Sequence, residues 1–316
     1  MTRSLGFDKP LYVLSFDYRG PLLSAFGSEG MHSSWQTAEV ASTISEVVLS
    51  KHFVYDGFEA ALASGVPKDK AAILVDERFG DDILRHAAER GCLTACPVEK
   101  TGQEEFEFEY GENFAKHIED FSPTFCRAQV SYDPEASQDL NRRQSSRLRR
   151  LSEYLHDKSR SLLMLELLVR AQNARPERVT MEKEAYDPED RAAMVAEAIR
   201  QLQDAAVEPD IWSIEALDRG GDYEKVVRAA RRGGRGRVGC LVLGEGEDDE
   251  KVRESLATAA AVPGFVGFAA GRKIFWGPLS GWLARQLTPK AATADIGHRF
   301  REFVNIFEKG RYKMVA

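Results

Sequence analysis

The chain has 316 residues, of which 43% are hydrophobic and 29% are charged, and its formal net charge is −7. That balance is typical of a soluble globular protein, and the length suits one large α/β domain or two average ones. The negative charge disfavours nucleic acid as a general partner. No apolar run approaches the roughly 18 residues that a membrane helix needs, so a membrane is not expected as a partner either.

Eight short apolar runs follow one another along the chain. They are rich in Val, Ile, Leu and Phe, and most are continuous rather than alternating, which is typical of strands buried on both faces. The predicted strands are Leu11–Asp17, Ala71–Asp76, Leu93–Glu99, Phe125–Val130, Leu162–Leu168, Asp210–Glu215, Val238–Leu243 and Phe265–Ala269.

Helix-like stretches with apolar residues three and four positions apart separate these runs. The clearest predicted helices are Thr43–Ala63, Asp81–Arg90, Asn141–His156, Arg191–Ala205, Asp222–Arg232 and Asp249–Ala260. The alternation predicts a (β/α)₈ TIM barrel, with a doubly wound sheet as the alternative. Because no linker or break in composition divides the chain, we expect residues 1–316 to form a single domain. The longest irregular connection, Ala174–Pro188, is interpreted as a surface loop near the barrel mouth.

Charged and polar residues close most of the predicted strands. In a (β/α)₈ barrel the functional groups lie at the C-terminal ends of the strands, so these residues are site candidates. Lys100 also fits a surface residue just past its strand, and Asp17 and Asp76 also fit helix N-caps. The candidates from the first six strands are Asp17, Arg19, Asp76, Glu99, Lys100, Arg127, Glu166, Ser213 and Glu215.

Glu166 is the strongest of these site candidates, because it is a charged residue inside an apolar run. Four apolar residues precede it and three follow, and burying a lone charge costs several kcal/mol or forces protonation. Arg127 poses the same problem with the opposite sign. We therefore expect Glu166 at the barrel mouth, within salt-bridge reach of Arg127 or Lys100. A purely structural ion pair is the alternative.

Glycines and an arginine close the last two strands. Loops after these strands often hold a phosphate through backbone N–H groups and an arginine, whereas ordinary left-handed turns are the plainer interpretation. The candidate phosphate-binding residues are Gly244, Gly246, Gly271 and Arg272.

Histidine and cysteine patterns indicate no metal centre. The six histidines are scattered without metal-binding spacing, and most are expected on helix surfaces or in loops. The four cysteines are interpreted as reduced core thiols, and Cys92-x-x-x-Cys96 is a poor metal or redox spacing. Met1–Asp8 lacks the apolar core of a signal peptide, so a cytoplasmic location is expected.

The strand-end motifs resemble those of the 2-deoxy-5-keto-gluconate-6-phosphate aldolase domain of myo-inositol catabolism, often fused to 5-dehydro-2-deoxygluconokinase. The resemblance runs from Leu11 to about Glu308, without the kinase half, and tagatose-bisphosphate aldolase is similar at a greater distance. Single motifs are not specific, but together they are. The matching segments are Phe16–Gly20, Ile73–Glu77, Pro97–Gly102, Glu166–Leu168, Glu208–Trp212 and Gly267–Arg272.

This resemblance implies a class I aldolase barrel without a cofactor. The implied reaction is retro-aldol cleavage of a phosphorylated keto-sugar acid to dihydroxyacetone phosphate and malonic semialdehyde. Asp17 would orient substrate hydroxyls, Lys100 would contact substrate oxygens, and Glu166 would be the acid/base. The residues implied to hold the phosphate are Gly244, Gly271 and Arg272.

Two positions depart from the family pattern. Arg127 stands where related aldolases usually carry a second lysine, which keeps the charge but removes a titratable amine. Ser213 stands where the Schiff-base lysine is expected, and a hydroxyl cannot form an iminium.

Three functions therefore stay open. The first is an aldolase-like lyase whose amine has moved to Lys100. The second is an isomerase, epimerase or other enolising enzyme without a Schiff base, with Glu166 moving a proton. The third is a silent barrel that binds a sugar phosphate or a partner protein. A homo-oligomer is compatible with each. A variant of the second uses a divalent metal, held by carboxylates from Asp17, Asp76, Glu99, Glu166 and Glu215.

Overall fold

The structure, a computed structural model, describes residues 4–18, 38–169, 188–246 and 248–312. Eight parallel strands form a closed barrel in the order in which they occur along the chain. Helices of the described ranges follow each strand on the outside. The architecture is a single-domain (β/α)₈ barrel, which confirms the fold predicted from the sequence.

All eight predicted strands are present, each within a few residues of its predicted bounds. Their continuous apolar character follows from the closed barrel, because each strand has the interior on one side and helices on the other. The strands are β1 Leu11–Ser15, β2 Ala71–Leu74, β3 Leu93–Pro97, β4 Phe125–Tyr132, β5 Leu162–Val169, β6 Ile211–Ile214, β7 Gly239–Leu243 and β8 Phe265–Ala270.

The described helices include all six that the sequence predicts and three further ones, α3, α8 and α9. A 3₁₀ turn at Gly111–Asn113 precedes α3. The helices are α1 Ala38–Ala63, α2 Glu77–Glu89, α3 Phe114–Phe121, α4 Gln138–Asp157, α5 Pro188–Asp204, α6 Gly220–Ala230, α7 Asp249–Ala260, α8 Arg272–Leu283 and α9 Pro289–Tyr312. None of the helices in the described ranges is long and apolar enough to cross a bilayer.

Two segments with sequence predictions lie outside the described residues. Arg19, a predicted substrate-binding residue, is one of them. The predicted loop Ala174–Pro188 is the other, apart from Pro188, which begins α5.

Two apolar layers build the barrel. An interior cluster contains residues such as Leu11, Val13 and Met164, and a larger cluster packs the outer strand faces against the helices. The alternation within a strand explains the split, since successive side chains point to opposite sides. The same alternation directs Arg127 and Glu166 towards the interior.

Asp210 closes the N-terminal end of the barrel. Its fully buried carboxylate accepts hydrogen bonds of 2.9 Å from the backbone N–H groups of Gly6 and Leu163. Just inside, the rings of Phe7 and Phe125 meet edge to face with centroids 5.2 Å apart. This end is filled with side chains, so open volume is left at the opposite end, where the strands finish.

Candidate active site

A cavity of about 240 Å³ opens among the C-terminal ends of the strands. Six of its lining residues are acidic and two are basic, so the described wall is negatively charged. Five predicted site residues line it, namely Asp17, Glu99, Lys100, Arg127 and Glu166.

Arg127 is the electrostatic centre of this cavity. Its Nη1 donates to Glu99 Oε1 at 2.7 Å, its Nη2 donates to Asp17 Oδ2, and its Nε lies 3.8 Å from Glu166 Oε2. Burial lowers the pKa of the Arg127 guanidinium, while the charges of Glu166 and Glu245 raise it. One buried cation thus joins carboxylates that follow β1 and β3 and one within β5.

Glu166 lies where the sequence predicts, with its carboxylate on the cavity wall and an ion pair to Arg127. Gln129, its neighbour in the register of β4 and β5, donates from Nε2 to Glu166 Oε1 at 2.6 Å. Only about 13% of the Glu166 side chain is exposed. Two neighbours therefore fix the carboxylate, and it still reaches the cavity, the geometry that a proton-transfer group needs.

Tyr18 and Glu245, which the sequence analysis did not select, complete the wall opposite β4. The Tyr18 hydroxyl lies 3.5 Å from Glu245 Oε1, and burial raises the pKa of Tyr18 above its usual range. The Glu245 residue as a whole is exposed, but its carboxylate faces the cavity. Desolvation there, followed by the charges of Glu166 and Glu215, raises the pKa of Glu245.

Replacing Glu245 with glutamine is expected to stabilise the chain at neutral pH. A carboxyl whose folded-state pKa is raised contributes stability that is fully present below its unfolded pKa, about 4.3, and lost as pH rises through the folded pKa. Glutamine avoids that loss. Thermal melts should show a higher Tm for Glu245→Gln than for the wild type at pH 8, with the difference disappearing near pH 4. An equal gain from Glu46→Gln, on the exposed side of α1, would contradict this explanation.

Asp76 does not reach the cavity, which corrects its prediction as a substrate-binding residue. Its fully buried carboxylate accepts from the N–H of Phe79 at 3.0 Å, as the N-cap of α2, and lies 2.5 Å from Lys51 Nζ. Lys51 also donates to the Phe16 carbonyl at 2.6 Å. The helix-cap interpretation of Asp76 is therefore confirmed.

Ser213 and Glu215 also lie apart from the described cavity wall. Ser213 faces the interior beside Glu166 in the strand register and is 1% exposed, and its Oγ has no hydrogen-bond partner among the described residues. Glu215 pairs with Arg191 on α5 at 3.0 Å. The position expected to hold the Schiff-base lysine thus carries a buried hydroxyl.

The described carboxylates of the predicted metal variant do not converge on one point. Three of them surround Arg127, while Asp76 holds Lys51 and Glu215 holds Arg191. Their arrangement fits a buried arginine better than a metal ion.

The predicted phosphate-binding residues meet where β7 and β8 end. Gly271 comes before α8, and a Cβ there would lie 2.4 Å from the Ser15 carbonyl oxygen, so only glycine fits. A Cβ on Gly244 would lie 2.7 Å from the Cβ of Ala270. Gly246 has a φ of 138°, a backbone conformation that residues with a side chain rarely adopt. None of the four predicted phosphate-binding residues lines the described cavity, but Leu243, Glu245 and Ala269, which are their near neighbours in the chain, do. The N-terminus of α8, which follows Gly271, is a suitable place for an anion.

Arg272 is exposed, and its guanidinium lies over the Trp276 ring at 5.7 Å from the centroid. We expect Arg272→Ala to weaken the binding of a sugar phosphate by about 1.5–3 kcal/mol, the contribution of a hydrogen bond to a charged group. Titration calorimetry with a keto-sugar phosphate measures this, and Arg142→Ala on α4 is the control. Unchanged affinity in Arg272→Ala would exclude the assignment.

Solved structures of other (β/α)₈ barrels share this fold. Fructose-bisphosphate aldolase from Plasmodium falciparum superposes with a TM-score of 0.65 at 12% identity, covering 98% of this chain and 92% of that one. Fructose-bisphosphate aldolase from Slackia heliotrinireducens has a TM-score of 0.54 at 12% identity, covering 92% and 86%. At this identity the likeness concerns the fold alone.

The sequence itself identifies the family of the chain. It belongs to the DUF2090 family, described as an uncharacterized protein conserved in bacteria, whose model matches residues 9–311. No curated protein matches the sequence.

Proposed function

We propose that this chain is an aldolase-like enzyme that enolises a small phosphorylated keto-sugar or keto-sugar acid without a Schiff base at position 213. The observation that carries the proposal is Glu166. It combines access to the cavity with two fixed contacts, to Gln129 and Arg127. A carboxylate held in this way can take a proton from the carbon next to a substrate carbonyl.

The proposed step is a proton transfer from the substrate to Glu166. Glu166 takes the proton, the electron pair of the C–H bond forms the new C=C bond, and the carbonyl π pair moves to oxygen. The positive charge of Arg127 stabilises the resulting enediolate through space, because its Nη groups are engaged by Glu99 and Asp17. Glu166 then returns the proton to the former carbonyl carbon, the proton of the neighbouring hydroxyl passes to the former carbonyl oxygen, and the isomeric carbonyl compound results.

The charge of the wall favours a polyol with its phosphate held at the edge. Carboxylates accept hydrogen bonds from sugar hydroxyls but repel a phosphate, so the phosphate belongs at the rim, near the N-terminus of α8, Arg272 and Lys100. The fructose-bisphosphate aldolases that share this fold are named for a phosphorylated keto-sugar, the substrate class proposed here.

A carbon–carbon lyase is the second candidate, because Lys100 lines the cavity. In this version the Lys100 amine forms the iminium and Glu166 takes the proton of the hydroxyl during retro-aldol cleavage. The reaction is then that of 2-deoxy-5-keto-gluconate-6-phosphate aldolase, and myo-inositol catabolism and the cytoplasm are its expected setting. Lys100 is exposed on the loop after β3 rather than buried at the strand ends, so we rank this candidate second.

Two measurements on one substrate panel separate the candidates. Incubating keto-sugar phosphates with the protein in D₂O and recording NMR spectra detects exchange of the proton next to the carbonyl. Borohydride treatment of parallel samples traps an iminium. Exchange without trapping supports the enolising enzyme, and trapping at Lys100 supports the lyase. If no substrate shows exchange or trapping, the chain is a binding protein rather than an enzyme of either kind.

Ser213→Lys tests how far the aldolase arrangement is retained. A lysine at this buried interior position extends beside Glu166 towards the cavity, and burial favours its neutral, nucleophilic form. We expect borohydride to trap this variant with a keto-sugar phosphate, whereas Ser213→Met, of similar length but without an amine, stays unlabelled. A folded Ser213→Lys chain that forms no adduct would show that the site does not retain the aldolase arrangement.

A further inference from the structure

A second cluster of reactive side chains lies outside the cavity, between the barrel and the helices. It consists of Glu77 at the start of α2, Cys96 on β3 and His117 on α3, and all three are buried. Cys96 belongs to the outer layer, on the opposite side of β3 from the cavity. In the described parts of the chain, no other group of three or more such ligands comes together.

We propose that Glu77, Cys96 and His117 bind a divalent transition-metal ion, with Zn²⁺ as the best match. Thiolate, imidazole and carboxylate are the three donor types that zinc takes in proteins. They come from three elements, so the ion would tie α2, β3 and α3 together. The site is separate from the proposed enolising centre and does not depend on it.

The distances between the donor atoms fit one ion. Cys96 Sγ lies 3.5 Å from Glu77 Oε2 and 3.9 Å from His117 Nε2, and the latter two atoms are 3.8 Å apart. A triangle with these edges has a circumradius of about 2.2 Å, so a central point lies at zinc–ligand distance from all three atoms. In tetrahedral geometry the separations would be about 3.4–3.6 Å. A contraction of a few tenths of an ångström reaches that geometry.

Tyr110 orients two of the three ligands. Its hydroxyl donates to Glu77 Oε1 at 2.6 Å, which leaves Oε2 facing the cysteine and the histidine. Its ring stacks on the His117 imidazole with centroids 4.4 Å apart. Such outer contacts are typical around metal ligands.

The charge balance also favours a cation. Within the described residues, no lysine or arginine forms an ion pair with the buried Glu77 carboxylate. An imidazole binds a metal in its neutral form, and a cysteine binds it as the thiolate. Binding therefore exchanges one thiol proton for the ion, and that proton is released to solvent.

Cobalt provides a direct test, because Co²⁺ bound to a thiolate has a ligand-to-metal charge-transfer absorption. The full-length chain is freed of metal with a chelator and titrated with Co²⁺ alone. We expect one ion per chain with that absorption, its loss in Cys96→Ala, and its retention in Cys240→Ala, which removes another fully buried thiol. Absence of Co²⁺ binding, or an unchanged absorption in Cys96→Ala, would overturn the proposal.

Zinc affinity and stability supply an independent readout if Cys96→Ala does not fold. Tyr110 is exposed by 43%, so Tyr110→Phe should fold normally, and we expect it to weaken Zn²⁺ binding by about 10- to 100-fold. Glu77→Gln, nearly isosteric, should weaken binding further. Zn²⁺ should raise the Tm of the wild type and raise that of Glu77→Gln less. Equal Zn²⁺ affinity in wild type, Tyr110→Phe and Glu77→Gln would show that this cluster is only a hydrogen-bonded triad.

Discussion

Replacing Arg127 with methionine is expected to lower the free energy of unfolding by about 3–5 kcal/mol, the usual effect of removing one partner from a buried ion pair. The side chain of Arg127 is only 5% exposed, and three carboxylates surround it. Without its charge, Asp17, Glu99 and Glu166 repel one another at the cavity wall. Urea denaturation of the two proteins under the same conditions measures the difference.

Two further variants test that explanation. Arg142→Met removes an exposed arginine whose ion pair with Asp139 spans one turn of α4, and it should cost less than about 1 kcal/mol. Asp17→Asn and Glu99→Gln, added to Arg127→Met, remove the repulsion and should recover part of the lost stability. A triple variant less stable than Arg127→Met would mean that the arginine acts mainly through packing.

The fold was predictable because its signal is repeated eight times. Each strand is an apolar run of suitable length, and each run is followed by a helical pattern or a loop, so an error at one strand leaves the alternation visible. The missed helix α3, Phe114–Phe121, is one of the shortest and follows a 3₁₀ turn. A short helix of this kind offers few turns over which its period can be recognised.

The centre of the site was partly predictable for a different reason. Glu166 and Arg127 are charges inside apolar strands, and the cost of burying them singly indicates that they meet. Gln129 gave the same signal more weakly, as a polar side chain within the predicted fourth strand. Asp76 and Asp17 both follow strands, but one caps a helix and the other pairs with Arg127. Only the direction of the side chain distinguishes them, and that depends on the register.

Lys51 and His117 show where sequence reasoning stops. Both belong to helices, and each is buried by contacts to segments far along the chain, Lys51 against Asp76 and His117 against Cys96. The spacing of Cys92 and Cys96 suggested no metal site. The residues that lie beside Cys96 in the fold, Glu77 and His117, are distant from it in the sequence, so no spacing motif reveals them. A cluster assembled from α2, β3 and α3 appears only after the barrel has formed.

The largest functional effect is expected for Glu166→Gln, which should slow exchange of the substrate proton with D₂O by about 10²- to 10⁴-fold, the usual contribution of a general acid–base group. Glutamine has nearly the same shape and can still accept the hydrogen bond from Gln129, while Arg127 keeps its contacts with Asp17 and Glu99. The loss should therefore appear in kcat, with substrate affinity nearly unchanged. Glu166→Asp, which keeps a carboxylate on a shorter side chain, should retain more activity than the glutamine variant. The control is Glu153→Gln on the exposed face of α4. If Glu166→Gln exchanges protons as fast as the wild type, Glu166 is only a partner of Arg127, and the base must be sought among the other carboxylates of the cavity wall.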